Sequence, residues 1–162
     1  MPGHLKRSPN GYAIKVEGWK LDRCCVGYSV TLYFANPDPE HDRGSELLIG
    51  SHFIVDQGEG HSEQLHAESA PERLGPVLGL LKRTVKSAEV ARDGTLRILF
   101  SESGKIKVPP DPNFEAWQID GPDFFAVCVP GGGDLAIWSG DRSSSEVLAV
   151  ERNLRTGDED TS

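Results

Sequence analysis

Apolar and polar residues alternate most regularly over residues 24–34, where Val26, Tyr28, Val30, Leu32 and Phe34 fall on one side of the chain and Gly27, Ser29, Thr31 and Tyr33 on the other. A period of two belongs to a strand with one buried face. Asn36-Pro37-Asp38-Pro39 ends it, because proline has no amide proton for a ladder and Asn and Asp favour turns. Residues 47–49 and 52–55 read as the next strand or strand pair. Further on, residues 85–91 and 95–101 flank Asp93-Gly94, a short-range hairpin signal. Ser103-Gly104 marks the next turn. Apolar runs over 105–108, 114–119, 124–129 and 135–138 follow at regular intervals with Gly and Pro between them, the texture of an antiparallel meander.

Helical signals are sparse. Residues 57–73 are polar and aperiodic, which predicts a long exposed loop with one helical turn starting at Pro71. Residues 76–83 carry Val77, Leu78, Leu80 and Leu81 behind a first-turn Pro76, with Lys82 and Arg83 at the negative end, and form the best helix candidate. Residues 146–154 hold a weaker helical pattern. The expected fold is α+β: a curved, mostly antiparallel sheet packed on one short helix. Residues 28–34 resemble residues 94–100, and each segment is followed by an apolar pair and an aromatic. Two related half-sheets would produce this echo, and so would any two amphipathic strands. Polar composition marks residues 1–11 as a flexible N-terminal tail and 140–162 as a polar C-terminal tail around a single domain at 12–139.

Size and charge narrow the function classes. A chain of 162 residues suits one domain with one core and needs no covalent staples. It has no apolar run near the roughly 20 residues that span a bilayer. Lys6 and Arg7 are not followed by the apolar stretch of a signal peptide. Three cysteines, two of them adjacent at Cys24-Cys25, and no Cys-x-x-Cys pair fit a reducing compartment, so a cytoplasmic location is expected. A formal net charge of −8 repels nucleic acid, and with no spanning stretch neither a nucleic-acid nor a membrane partner is expected. Residues 36–75 carry nine acids against Arg43 and Arg73, whereas bases dominate residues 82–107. Such patterning is ordinarily a set of solvated faces. It also steers a partner of opposite charge, which points to a basic protein meeting Asp56, Glu59, Glu63, Glu68 and Glu72.

No motif selects a catalytic centre. Pro130-Gly131-Gly132-Gly133 lies between two strand-like segments and lacks the helix and Lys-Ser/Thr of a phosphate loop, so it reads as a hairpin loop. His61 and His66 sit among Glu59, Glu63 and Glu68, but a five-residue gap does not put both rings on one helix face, and no metal site is expected. Cys24-Cys25 lies near Lys20 and Arg23, a setting that would favour thiolates, yet strand neighbours face opposite ways. Cys128, in an apolar run, reads as core. Glu115, Asp120 and Asp123 read as solvated edge charges. Trp19, Trp117 and Trp138 read as core or core rim. The expected function is therefore a non-enzymatic protein-interaction module for a basic partner, of which an immunity-type inhibitor is one form. No cofactor is expected. A small-molecule binder is the alternative, and an enzyme with a dispersed site the third.

Several segments together carry a family resemblance: Gly18-Trp19-Lys20-Leu21-Asp22, residues 27–34, Phe114-Glu115-Ala116-Trp117 with Gly121-Pro122, Val129-Pro130-Gly131-Gly132-Gly133 and Leu135-Ala136-Ile137-Trp138. The chain resembles a family of small actinobacterial proteins of unknown function over residues 18–138. The resemblance implies a single-domain fold and transfers no active site.

Overall fold

The computed structural model describes residues 4–38, 40, 44–58, 60–139 and 146–151. The chain opens with a hairpin, β1 (Leu5–Ser8) and β2 (Gly11–Ile14), and continues through β3 (Lys20–Val26), β4 (Val30–Ala35) and β5 (Ser45–Ile49). A second hairpin follows, β6 (His52–Asp56) and β7 (Ser62–His66). A 3-10 turn, Pro71–Leu74, runs into the short helix α1 (Gly75–Leu78). The remainder is β8 (Val85–Ala91), β9 (Leu96–Phe100), β10 (Lys105–Val108), β11 (Trp117–Asp120), β12 (Phe124–Cys128), β13 (Leu135–Ser139) and β14 (Glu146–Glu151).

These strands form two seven-stranded antiparallel sheets. The first has the order β1-β2-β8-β9-β10-β6-β7, the second β14-β13-β12-β11-β5-β4-β3. The sheets exchange strands. The meander β3-β4-β5 lies in the second sheet, and the chain then crosses at Gly50-Ser51 so that β6 pairs with β10 in the first. The meander β8-β9-β10 lies in the first sheet, and the chain crosses over residues 109–116 so that β11 pairs with β5 in the second. The echoed segments thus supply β4 and β9, each the middle strand of its meander.

Alternation in sequence becomes alternation in burial. β4 buries Val30, Leu32 and Phe34 and turns Thr31 and Tyr33 outward; β9 buries Leu96, Ile98 and Phe100. The inward faces of both sheets meet in one apolar cluster whose largest buried members include Phe53, Trp117 and Phe124. Close to the sheet junction, the Gly18 and Leu21 amides donate to the Val85 and Arg83 carbonyls, and the Val85 and Lys82 amides return bonds to Trp19 and Leu21. This clamp ties the start of β3 to the start of β8.

The strand-rich antiparallel body and, among the described residues, one short α-helix agree with the sequence reading, which allowed one sheet or two half-sheets; the strands form two sheets. The strand read over 24–34 is a hairpin: Val26 pairs with Val30, and Tyr28, 94 % exposed, lies in the turn between them. Two amphipathic strands in phase look like one longer strand when the turn keeps the period. The helix expected over 76–83 is confined to α1. Beyond it Leu80, Leu81 and Arg83 make tight i→i−3 bonds, and Lys82 adopts a φ of 72°, which aims its amide at Leu21. Residues 57–73 contain β7, an edge strand whose Ser62, Glu63 and Gln64 are exposed and whose Leu65 is buried. Residues 5–8, placed in a tail by composition, pair fully with β2 and bury Leu5. Residues 146–151 are extended against β13 rather than helical.

Candidate functional site

The acids singled out from the sequence lie around the β6–β7 hairpin. Asp56 ends β6, and its Oδ1 accepts the Gly58 amide at 2.7 Å, the local bond that turns the chain. Glu63 is exposed on β7 opposite Val55. Glu68 and Glu72 are exposed on the connection from β7 to α1. Glu59 lies outside the described residues. The histidines regroup: His66 packs edge-on against His52 across the hairpin, ring centroids 4.5 Å apart, while His61 is exposed. The Glu68 amide donates to His66 Nδ1 at 3.0 Å, which places the neutral ring's proton on Nε2. Among the described residues no group of three or more His, Cys, Asp or Glu side chains is placed to hold a metal.

A different set of side chains converges on the outer face of the second sheet. Strand register aligns Arg23, Tyr33, Glu46, Asp120, Phe125 and Trp138 in one row across six strands. Each projects outward because its strand neighbours point into the core: Leu32 and Phe34 flank Tyr33, Ser45 and Leu47 flank Glu46, and Phe124 and Ala126 flank Phe125. At about 4.8 Å per strand the row runs for about 24 Å. One end is cationic and aromatic, with the Arg23 guanidinium 4.3 Å from the Tyr33 ring centroid. The other is aromatic, with the Phe125 and Trp138 rings 5.4 Å apart. Between them Glu46 and Asp120 stand directly opposite each other on adjacent strands.

A bulge deepens this region. Asp22 is the extra residue of β3 where the register to β4 shifts between Leu21 and Arg23. The resulting cleft, about 350 Å³, is lined by Asp22, Arg23, Tyr33, Glu46, Asp120 and Gly121, among others. Asp120 is thus half-buried in a cleft rather than a solvated edge charge. Asp123 is engaged elsewhere, its Oδ2 lying 3.2 Å from His4 Nδ1, and Glu115 is exposed. The sequence did carry a signal for the row: the outward positions of three alternating strands hold Tyr33, Glu46 and Asp120. Their alignment depends on β11 pairing with β5, which are separated by 67 residues between Ile49 and Trp117.

Cys24 packs against the core and Cys25 is exposed. Burial raises the Cys24 thiol above its ordinary value, and neighbouring Cys25 adds to this. Burial pushes Cys128 up to about 12, helped by Asp134 and Asp93. Trp19 and Trp117 are core residues, while Trp138 is half-buried at the end of the outward row. Residues 130–133 form the β12–β13 hairpin loop, with Gly131 at φ 112° and Gly133 at φ 86°.

No helix among the described residues is long and apolar enough to cross a membrane. Residues 12–139 match the model of a family of unknown function, DUF6188, and the chain belongs to that family. No curated protein and no solved structure matches it.

Proposed function

We propose that the chain is a non-enzymatic protein-interaction module that docks a basic protein on the outer face of its second sheet. The observation that carries this reading is the Glu46–Asp120 pair set between Tyr33 on one side and Phe125 and Trp138 on the other. Carboxylates on adjacent strands make this part of the face acidic, which complements a basic partner. Aromatic side chains beside them supply the large contact area with low conformational cost that anchors protein interfaces. The acids at Asp56, Glu63, Glu68 and Glu72 act in this scheme as a steering field, which speeds encounter more than it holds the complex. Masking a basic toxin is one form such a module takes. Three free thiols fit action in a reducing cytoplasm.

A second reading rests on the cleft: about 350 Å³ falls within the size range of small-ligand pockets. Its charged lining suits an organic cation more than an apolar metabolite.

Affinity capture from a native cell extract tests the first reading. Wild type, the Glu46→Gln/Asp120→Asn double variant and the Glu63→Gln/Glu68→Gln double variant are compared at low and high salt. Wild type is expected to retain a basic protein that salt releases. The outer-face variant is expected to lose it, and the hairpin variant to capture it more slowly. Capture of no specific protein, or capture indifferent to salt and to both variants, overturns the proposal.

A further inference from the structure

We propose that the outer face of the first sheet docks an acidic, extended segment of a partner protein. This face points away from Glu46 and Trp138, because the two sheets bury their inner faces against each other. Its occupant is therefore separate from the partner proposed for the second sheet. Strand register builds the face. Glu89, Arg97, Lys107 and Ile54 align in one row across β8, β9, β10 and β6, and Ser87, Leu99, Lys105 and Asp56 in the next. These side chains project outward because their strand neighbours Ala88, Ile98, Ile106 and Val55 are buried. Cations hold the centre. Arg97 stands directly opposite Lys107, an opposition of like charges that an anion relieves. Lys105 lies two residues along β10, and Lys86 is exposed at the β8 bulge. Two acids share the rows. Glu89 opposes Arg97 from the β8 side, and Asp56 gives its Oδ1 to the Gly58 amide. In a chain of net charge −8, this surplus of bases sets the face apart from the rest of the surface.

Leu99 supplies a second observation. It is 40 % exposed, sits opposite Lys105 and lies two residues from Arg97, so an apolar spot is set among the cations. With the aliphatic stems of Lys105, Lys107 and Arg97 it makes an apolar floor under the charged heads. Spacing then identifies the occupant. Lys105 and Lys107 are about 7 Å apart along their strand, the interval between alternate side chains of any extended chain. Carboxylates at alternate positions of an extended segment match them, and Arg97, about 5 Å to the side, adds a forked donor. Glutamate suits the site better than a nucleic-acid phosphate. Its methylenes cover Leu99 while its carboxylate reaches the cations. A phosphate chain would meet Glu89 and Asp56 within the rows, and neither row offers an aromatic ring on which a base could stack.

The test titrates capped peptides of equal length into the isotope-labelled full chain and follows amide chemical shifts at physiological ionic strength. One peptide alternates Glu and Thr, a second has the same composition with the glutamates in adjacent pairs, and a third alternates Gln and Thr. An oligouridylate of matching length is the nucleic-acid probe. The alternating glutamate peptide is expected to move the Arg97, Leu99, Lys105 and Lys107 amides and to weaken as salt rises. It is expected to bind about fivefold tighter than the paired peptide, and the glutamine peptide is expected not to bind. Arg97→Gln and Lys107→Gln are each expected to lower its affinity about fivefold without lowering the thermal midpoint, because the like charges face each other in the wild type. Lys20→Gln, the same change of charge at an exposed position of the second sheet, is the control that leaves affinity unchanged. Equal binding of the alternating and paired peptides overturns the extended seat, and so does binding of the glutamine peptide at like strength. Shifts centred on the second sheet, or an affinity indifferent to Lys107, overturn it as well. Tighter binding of the oligouridylate than of the alternating peptide transfers the face to nucleic acid and also overturns it.

Discussion

The indole N–H of Trp117 donates a buried hydrogen bond of 2.9 Å to the backbone carbonyl of Gly94. Trp117 begins β11 in the second sheet, and Gly94 lies in the turn between β8 and β9 of the first, so this bond fastens the sheets to each other at one end. Replacing Trp117 by Phe keeps most of the apolar volume and leaves the carbonyl without its donor. The expected loss is about 1–3 kcal/mol, read from urea midpoints. A midpoint equal to wild type would mean that the bond adds nothing to the packing.

Gly94 itself is constrained twice. Its φ is 89°, and an ideal Cβ there would lie 2.5 Å from the Gly133 carbonyl oxygen in the β12–β13 loop. Conformational strain and collision with a second loop add, so Gly94→Ala is expected to cost roughly 2–4 kcal/mol. Gly18 separates the two causes: its φ is 86° and nothing lies within 4 Å of its Cβ position. Gly18→Ala is expected to cost only roughly 1 kcal/mol. Equal losses at the two positions would show that the contact with Gly133 has no weight.

Local chemistry was legible in the sequence. Asp93-Gly94 gives the expected turn, with Asp93 Oδ1 accepting the Thr95 amide at 2.9 Å. The alternation around Leu32 and Leu96 gives the buried faces of β4 and β9. Long-range pairing was not legible. Nothing in residues 45–56 announces that β5 and β6, two residues apart, belong to different sheets. Without that, the opposition of Glu46 and Asp120 is invisible, and attention falls on the charge-rich stretch around Glu63 and Glu68 instead. β7 was missed for a related reason: an edge strand with Leu65 as its only buried apolar residue has no period to read.

The three thiols are expected to differ sharply toward an alkylating reagent, because the thiolate is the reacting species. Cys25 is exposed, Cys24 is half-buried with its pKa raised, and Cys128 is buried with its pKa pushed up to about 12. Mass spectrometry after labelling at neutral pH is expected to find Cys25 modified first, Cys24 more slowly, and Cys128 only after denaturation. Prompt labelling of native Cys128 would contradict its burial.

Glu102 links the start of β8 to pH. Its carboxylate accepts the Thr84 amide at 2.9 Å, and this bond, more than the hydroxyl of Thr84 or the charge of Lys20, holds its pKa below the ordinary carboxylate value. A depressed folded-state pKa gives stabilisation that is present above the unfolded value and lost as pH falls through the folded one. The Thr84 amide resonance is therefore expected to titrate below the usual glutamate range, and Glu102→Gln to abolish that step. An amide that titrates at the ordinary glutamate value would remove the linkage.

The N-terminal residues are expected to be structural. Leu5 is 1 % exposed, and β1 pairs residue for residue with β2 from Leu5↔Ile14 to Ser8↔Gly11. Side-chain bonds hold the same segment from outside. Arg92 donates to the Pro9 carbonyl through Nη2 at 2.7 Å and Nε at 3.2 Å. His4 contacts Asp123 in the turn after β11, through its ring nitrogen at 3.2 Å and its amide at 3.3 Å. Deleting residues 1–9 would remove the strand, uncover the edge of β2, and expose the apolar surface that Leu5 covers. Burial of one leucine is worth about 1.5–3 kcal/mol, and the lost ladder adds to it. The truncated chain is expected to unfold at a lower urea midpoint, with a total loss of roughly 3–5 kcal/mol. Leu5→Ala, which keeps the strand and removes only its core contact, is expected to account for about 2–3 kcal/mol of that. A truncation that leaves the midpoint in place would return residues 1–11 to the role of a tail.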